Sequence, residues 1–274
     1  DPQGRPGMHA RGGAVVPTLD CAAAADGLLA DLPEAEAGSE LVVVLDDAGD
    51  RHVVELAAVS QRRGDKGARA QQHRASAAKA RRESVLAGSG VATWRVGDRT
   101  WSLPAVGFWQ SHRNAAASYS TVVGELLAAS GAGRAAVGWD LLGGGGPLAG
   151  AMRDSTDEVH VVESDPRAVD AGGAAFADDA HVRFHLGRVD RAIANLPSPD
   201  VVVLDPPRAG AGAAVVEAVS AAQPRAVVHV GCDPATFARD LADFGRRGYR
   251  STVIRGFDAF PMTHHFEAIA LLAR

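Results

Sequence analysis

The second part of the chain alternates apolar, strand-like runs with helical segments, and this alternation restricts the fold more than any other feature. Helical patterns cover residues 115–129, 148–152, 166–176 and 213–222, and a further helix starts at Asp233. Between them lie apolar runs at 134–142, 159–163, 182–185, 201–205 and 226–230, with a closing pair at 251–254 and 266–272. Repeated strand–helix units predict a doubly wound, mostly parallel α/β sheet. The run at 201–205 lacks polar alternation, as expected for a strand covered on both faces.

Residues 1–105 are less regular and predict a smaller, β-rich domain. Apolar runs at 41–45 and 52–56 flank a turn-forming segment, and runs at 93–96 and 100–103 flank Gly97-Asp98, so each pair predicts a hairpin. A short helix is expected over 21–32. The chain begins at Asp1 inside a polar stretch rich in glycine and proline. We therefore expect these residues to be part of a central domain that is truncated at its N-terminus.

The charge of the chain is unevenly distributed. The formal net charge of −5 argues weakly against nucleic acid as a partner. Residues 61–83, however, form a basic insertion with eight Lys or Arg residues against two acidic ones. Such a tract can touch phosphates, although its Gly, Ala, Gln and Ser content is more typical of a solvated insertion.

Composition excludes several classes of protein. The two cysteines, Cys21 and Cys232, are too few for a disulfide framework or a cysteine-ligated iron–sulfur cluster. No metal-ligand spacing occurs, and no apolar run is long enough to cross a membrane. We expect a cytoplasmic protein with no metal and no membrane partner, whose oligomeric state does not follow from the sequence.

The first strand of the alternating region runs into four consecutive glycines. Asp140 lies near its end, and the next strand ends in Glu163. Glycine lets the backbone approach a ligand closely, and an acid at the second strand's end can accept hydrogen bonds from ribose hydroxyls. The arrangement predicts a nucleoside-binding turn that includes Gly144 and Gly146. NAD, flavin and S-adenosylmethionine enzymes all use versions of it, and a plain flexible turn is the alternative.

Asp205-Pro206-Pro207-Arg208 follows another apolar strand, at the sheet edge where open α/β sheets bind ligands. The two prolines remove backbone donors and stiffen the turn, so that Asp205 and Arg208 are held in fixed directions. The alternative is a rigid loop with a surface arginine.

Cys232 lies between an apolar run and a helix start. Asp233 can cap that helix, and Pro234 fits its first turn. Unpaired amides and the positive end of the helix dipole favour the thiolate, so the position predicts a lowered pKa and a nucleophilic role for Cys232. Taken alone, the position is more typical of a buried apolar cysteine at a strand end.

Six segments occur in a fixed order from residue 106 onward. They are Phe108-Trp109-Gln110, Asp140-Leu141 with the glycines, Val162-Glu163-Ser164-Asp165, Asp205-Pro206-Pro207-Arg208-Ala209-Gly210, Cys232-Asp233-Pro234-Ala235-Thr236 and residues 258–267. In this order they resemble the S-adenosylmethionine-dependent RNA uracil-5-methyltransferase family. The resemblance implies a Rossmann-like methyltransferase domain over 106–274 that uses S-adenosyl-L-methionine. It also implies rRNA or tRNA as the substrate, with an unpaired or flipped uridine.

The same resemblance implies residue roles. Cys232 is the implied nucleophile that attacks carbon 6 of uracil, and Glu267 is the implied base that removes the proton from carbon 5. Arg208 is the predicted substrate-binding residue. The predicted cofactor-binding residues are Gln110, Asp140, Leu142, Gly144, Gly146, Glu163 and Asp205.

Four positions depart from the family pattern. Asp233 and His112 stand where asparagine is common, Leu142 where an aromatic residue commonly flanks the cofactor, and Pro147 where a polar residue is frequent. Two alternatives stay open, and Leu142 and Pro147 motivate the first of them. One is a non-catalytic RNA-binding relative that keeps the fold, and the other is an amino-group nucleobase methyltransferase, which needs no cysteine.

Overall fold

A computed structural model describes residues 1, 3–10, 14–58, 81–261, 263 and 265–274 of the chain. The chain separates into two compact units, which are Asp1–Trp94 with Ser102–Gly107 and Arg95–Trp101 with Phe108–Arg274. The assignment of 1–105 to a central domain and of 106–274 to a catalytic domain stays a prediction. Of the basic insertion predicted at 61–83, all but the last three residues lie outside the described residues.

Short strands build most of the first unit. β1 (Met8–His9) pairs with β2 (Val15–Val16), and β3 (Glu40–Leu45), β4 (Arg51–Ala58) and β5 (Arg81–Ala87) form an antiparallel sheet. Asp46 closes the predicted turn between β3 and β4, because its Oδ1 accepts hydrogen bonds from the amides of Ala48 (3.0 Å) and Asp50 (2.8 Å). β6 (Val91–Val96) and β7 (Arg99–Pro104) form the second predicted hairpin.

The short helix predicted over 21–32 is wrong. The segment forms successive turns, in which the amides of Ala24 and Leu28 each donate to a carbonyl three residues earlier. Gly27 interrupts the segment with a φ of 75°, a left-handed conformation that no right-handed helix contains. The alanine-rich composition favours a helix, but the backbone geometry at this glycine stops it.

The second unit contains the predicted alternation of helices and strands. Its helices are α1 (Ala115–Ala129), α2 (Pro147–Arg153), α3 (Pro166–Ala175), α4 (Val189–Ala192), α5 (Ala213–Ala221) and α6 (Pro234–Arg246). Its strands are β8 (Ala135–Leu141), β9 (Thr156–Glu163), β10 (Val182–Leu186), β11 (Val201–Leu204), β12 (Ala226–Gly231), β13 (Arg250–Phe257) and β14 (Glu267–Ala273). Asp233 caps α6 as predicted, and Asp165 caps α3 in the same way, each with a proline in the first turn.

One seven-stranded sheet runs through this unit in the order β10-β9-β8-β11-β12-β14-β13. Neighbours from β10 to β12 are parallel, and β14 is antiparallel to both β12 and β13. The predicted doubly wound, mostly parallel α/β sheet is therefore confirmed. β8 and β11 lie side by side although the chain leaves them toward opposite edges of the sheet. Their carboxyl ends consequently open a crevice of the kind at which such sheets bind ligands.

The core of the unit covers both faces of this sheet. Every residue of β11 and β12 is buried, which explains why neither run alternates with polar residues. Phe237 and Phe244 of α6 are buried in this core, and burial of one such side chain contributes roughly 2 kcal/mol. The strand ends are therefore rigid supports for the side chains that they carry. Within the described parts of the chain, every helix is too short or too polar to traverse a bilayer.

Candidate active site

The residues predicted to carry the chemistry meet at one end of the seven-stranded sheet. Asp140, Glu163 and Asp205 lie at the carboxyl ends of β8, β9 and β11. Cys232 directly follows β12, and Glu267 begins β14. Because the antiparallel register of β12 and β14 pairs Gly231 with Ala268, the next position brings Cys232 across from Glu267.

The glycine turn after β8 has a backbone that few residue types can adopt. Leu142 has a φ of 61°, a left-handed conformation that costs a non-glycine residue about 1–2 kcal/mol. Its amide and that of Gly143 donate to the carbonyl of Val162, at 2.9 and 3.3 Å. A Cβ on Gly143 would lie 2.7 Å from Cγ of Asp140, so only glycine fits over that carboxyl group. The turn is thus bound to β9 and pressed onto Asp140.

Asp140 is a buried carboxyl group without a partner. It is 0% exposed, and neither of its oxygens has a partner with hydrogen-bond geometry among the described residues, although the nearby Ala149 amide acts to lower its pKa. Burial, together with the charge of Asp205, raises the pKa of Asp140 to about 8. A carboxyl group in this condition is suited to a ligand that brings a donor or a positive charge.

Glu163 ties the glycine turn to the end of β9. Its Oε2 accepts from the amide of Gly144 at 3.1 Å, and its Oε1 accepts from the amides of Ser164 and of Asp165, the latter at 2.7 Å. The predicted ribose acceptor therefore also shapes the turn. A carboxylate oxygen can accept two hydrogen bonds, so Oε2 keeps capacity for a ligand hydroxyl.

The glycine turn leaves space for a ligand beside its backbone. No atom lies within 4 Å of a Cβ built on Gly144, so space is open beside its backbone. Pro147, a departure from the family pattern, occupies the first turn of α2, where its missing amide proton costs nothing. The departure at Pro147 is thus compatible with an open glycine turn.

Among the described residues, no group of three or more His, Cys, Asp or Glu side chains is arranged to hold a metal ion.

Asp205 and Gln110 form a polar pair at the crevice. Nε2 of Gln110 donates to Oδ2 of Asp205 at 3.2 Å. Burial raises the pKa of Asp205 to about 7, so that this carboxyl group is partly protonated near neutral pH. The structure thus brings together two residues that are separated by most of the domain in sequence.

Three residues of α6 hold the loop that carries Arg208. Oγ1 of Thr236 donates to the Arg208 carbonyl at 2.9 Å, and Arg239 donates to the Ala209 carbonyl at 2.8 Å. Oδ2 of Asp240 accepts from the Ala211 amide at 2.6 Å. The Arg208 side chain is exposed, so a fixed backbone presents a cationic group to the solvent edge of the site.

Cys232 does not have the lowered pKa that the helix start predicts. Burial raises the pKa of its thiol, and the carboxyl groups of Glu267 and Asp205 raise it further, while Arg208 acts in the opposite direction. The helix cap explains part of this difference from the prediction. Oδ1 of Asp233 already accepts a hydrogen bond from the Thr236 amide at 2.9 Å, so this amide is not left unpaired to favour a thiolate. Burial and the two neighbouring acids therefore outweigh the helix end, and the raised pKa favours the thiol near neutral pH.

Glu267 is buried at 3% exposure, and its Oε1 has no partner among the described residues. Burial, followed by the charge of Asp205, raises the pKa of Glu267 to about 8. Near neutral pH a carboxyl group with this pKa is mostly protonated, so only its ionised fraction can act as a base, and it releases an accepted proton easily. Met262 and His264, in the segment before it, lie outside the described residues.

Sequence reasoning missed Tyr119, which belongs to the same cluster. Its side chain is 2% exposed on α1, and burial and the charges of Glu267, Asp205 and Cys232 raise the pKa of its phenol. The apolar spacing of α1 predicts only that this side chain is buried. Nothing in the local sequence indicates that acids from two different strands act electrostatically on its phenol.

Comparison with known proteins agrees with the motif order. A family model for tRNA (Uracil-5-)-methyltransferase matches residues 193–274. An uncharacterized RNA methyltransferase of Corynebacterium diphtheriae is 42% identical over 291 residues, which cover 100% of this chain and 66% of the relative. One from Corynebacterium glutamicum is 43% identical over 242 residues, covering 86% and 55%. The chain thus spans between half and two thirds of the length of these relatives.

The fold is also found in solved structures. The tRNA (uracil-54, C5)-methyltransferase of Pyrococcus abyssi, in complex with S-adenosyl-L-homocysteine, superposes with a TM-score of 0.59 at 22% identity. The match covers 80% of this chain and 50% of that chain. At this identity the likeness shows the fold alone. With the family match and the Corynebacterium relatives, the resemblance predicted from the six motifs is confirmed, and the chain belongs to the tRNA (uracil-5-)-methyltransferase family of RNA methyltransferases.

Proposed function

We propose that this chain carries the catalytic domain of an RNA (uracil-5-)-methyltransferase. The enzyme would transfer a methyl group from S-adenosyl-L-methionine to carbon 5 of an unpaired or flipped uridine in rRNA or tRNA. The observation that carries the proposal is the register that sets Cys232 across from Glu267, beside the crevice that holds Asp140 and Asp205. A nucleophile, a base and a nucleoside-binding turn are the three parts that this reaction requires.

The cofactor would be held by Asp140, Leu142, Gly144, Gly146 and Glu163. Asp140 offers a buried acceptor to a donor or cationic group, and Glu163 offers remaining acceptor capacity to ribose hydroxyls. When bound, S-adenosyl-L-methionine supplies an electrophilic methyl group. The open space beside Gly144 lets the backbone approach the ligand.

Cys232 is proposed to activate the pyrimidine by adding to it. Its thiolate forms a bond to carbon 6, and the electron pair of the carbon 5–carbon 6 double bond moves onto carbon 5 and its adjacent carbonyl as an enolate. Carbon 5 thereby becomes nucleophilic. The thiol must first release its proton to solvent water, and Arg208 is the neighbour whose charge favours that release. Gln110 and Asp205 are proposed to line the reacting centre beside the cofactor.

Glu267 is proposed to complete the reaction after carbon 5 carries its methyl group. Its carboxylate takes the proton from carbon 5, and the electron pair of that bond restores the carbon 5–carbon 6 double bond. The bond between carbon 6 and sulfur breaks, and its electron pair returns to Cys232 as thiolate. The raised pKa of Glu267, about 8, matches a group that must accept a proton and then release it.

The decisive experiment separates the two halves of this cycle. Cys232→Ala should reduce methyl transfer to in vitro transcribed tRNA and rRNA by at least about a thousandfold. Glu267→Gln should still add to the base, so a covalent protein–RNA adduct should accumulate on denaturing gels. Cys21→Ala is the matched control, because it removes the other cysteine and should keep wild-type turnover.

Other outcomes favour the alternatives. Full methyl transfer by Cys232→Ala would favour an amino-group nucleobase methyltransferase, which needs no nucleophile. A folded wild-type protein that binds no S-adenosyl-L-methionine in calorimetric titration would favour a non-catalytic RNA-binding relative. Normal product release by Glu267→Gln would contradict the proposed role of Glu267 as the base, but it would not contradict the proposed role of Cys232 as the nucleophile.

A further inference from the structure

Tyr119 buries a phenol hydroxyl for which the described protein offers no partner. The side chain is 2% exposed, and its oxygen has no hydrogen bond among the described residues. The other tyrosine, Tyr249, is equally buried but donates its hydroxyl to the Pro224 carbonyl at 2.9 Å. Buried polar groups are nearly always hydrogen-bonded, and phenylalanine would fill the same space without this cost. Fold stability therefore does not explain why this position carries a hydroxyl group.

Packing directs Tyr119 toward the proposed base. α1 packs against β12 and β14, the strands beside which Cys232 and Glu267 lie. The Tyr119 ring meets Phe257 edge-on, with the ring centroids 5.2 Å apart. Phe257 is the direct partner of Glu267 in the register of β13 and β14. Directly opposed residues project from the same face of a sheet, so Tyr119, Phe257 and Glu267 form one cluster.

This cluster contains an unpartnered donor and an unpartnered acceptor. The donor is the Tyr119 hydroxyl, and the acceptor is Oε1 of Glu267, which is also buried. Burial and the charges of Glu267, Asp205 and Cys232 raise the pKa of the phenol. The hydroxyl therefore keeps its proton near neutral pH and is available only as a hydrogen-bond donor or acceptor, never as a phenolate base.

We infer that Tyr119 is a positioning residue, whose hydroxyl donates a hydrogen bond to the ionised carboxylate of Glu267 while that carboxylate removes the proton from carbon 5. The inference rests on the proposed function. Tyr119 gives up no proton, because the carbon 5 proton passes to the carboxylate oxygen that Tyr119 leaves free. Catalytic hydrogen bonds of this kind are often long or unformed in an unliganded enzyme and tighten in the complex.

Tyr119→Phe in the full chain tests the inference, with S-adenosyl-L-methionine and in vitro transcribed tRNA and rRNA as substrates. Adduct formation should keep its wild-type rate, whereas adduct breakdown should slow by about tenfold, as for the loss of a hydrogen bond to a charged group. The pH midpoint of breakdown should move upward, because a carboxylate without its donor holds a proton more tightly. The variant leaves unchanged the other groups that act electrostatically on this cluster. These are Asp205, which follows β11, and Cys232, which follows β12.

Tyr249→Phe is the matched control. It removes the hydroxyl that is hydrogen-bonded, so it should lower stability while adduct breakdown keeps its wild-type rate and pH midpoint. Wild-type breakdown by Tyr119→Phe, together with an adduct trapped by Glu267→Gln, would overturn the inference and leave the proposed function intact. No adduct with any variant, and no methyl transfer by the wild type, would overturn both.

Discussion

Asp140, a proposed cofactor-binding residue, also affects how folding stability depends on pH. Its pKa is about 8 in the folded protein, against an ordinary value of 3.8. The folded state therefore holds a proton that the unfolded state has already released. Folding stability from this group is fully present below about pH 4 and is lost as the pH rises through about 8. Asp205 and Glu267 act in the same direction, because their pKa values are raised as well.

Asp140→Asn should separate the two effects. The substitution keeps the shape but cannot ionise, so the decline in stability between about pH 5 and about pH 8 should be shallower than in the wild type. Binding of S-adenosyl-L-homocysteine should weaken by about tenfold or more, because asparagine cannot ionise to a carboxylate when a donor from the ligand arrives. Urea unfolding across this pH range and calorimetric titration measure the two quantities. Unchanged binding would show that Asp140 does not contact the cofactor.

At the scale of elements, hydrogen bonds join α6 to the 205–211 loop. The helix begins directly after Cys232, and its side chains hold the loop that carries Arg208. Asp240 is the centre of this connection, because it is 0% exposed and binds the Ala211 amide, Arg239 and His229. Cys232, the proposed nucleophile, and the cationic loop are therefore positioned by the same helix.

Asp240→Ala should break this connection. It leaves the Ala211 amide without its acceptor and removes the buried carboxylate that lies 3.5 Å from Nε2 of His229, which should lower the free energy of unfolding by about 3 kcal/mol. Methyl transfer should fall as well, since the Arg208 loop loses its support. Asp157→Ala is the control, because it removes an exposed ion pair with Arg134 and should cost less than about 1 kcal/mol. Urea unfolding of both variants measures the difference, and equal costs would contradict the argument.

At the scale of the whole molecule, the site exists only where several strand ends meet. A cofactor bound across β8, β9 and β11 would join parts of the sheet that are far apart in sequence. A ligand that binds only the folded state stabilises it by about 2.7 kcal/mol at a hundredfold excess over its Kd. S-adenosyl-L-homocysteine should therefore raise the Tm of the wild-type chain by several degrees.

Gly143→Ala should abolish that ligand-dependent rise in Tm. The added Cβ would lie 2.7 Å from the Asp140 carboxyl carbon, so the turn or the carboxyl group must move. Gly173→Ala is the control, because its Cβ would meet no atom within 4 Å and alanine favours the α3 helix. A full ligand-induced shift in Gly143→Ala would contradict the proposed cofactor site.

The order of helices and strands in the second unit is a property of the sequence alone. Several local signals act within a few residues and can be recognised without a structure. They are helix caps such as Asp233, prolines at helix starts and apolar runs such as 201–204. The same local reasoning failed at 21–32, where composition favoured a helix and the conformation of Gly27 prevented it. The ordered motifs likewise named the site residues, although their roles remain proposals.

Only the tertiary structure decided how those residues act on one another. The local sequence predicts a lowered pKa for Cys232, but burial raises it, and Glu267 and Asp205 from other strands raise it further. The register that sets Cys232 across from Glu267, and the approach of Tyr119 to both, also depend on long-range pairing. The physical reason is that caps and turns depend on neighbours in the chain, whereas burial and electrostatic interaction depend on neighbours in space.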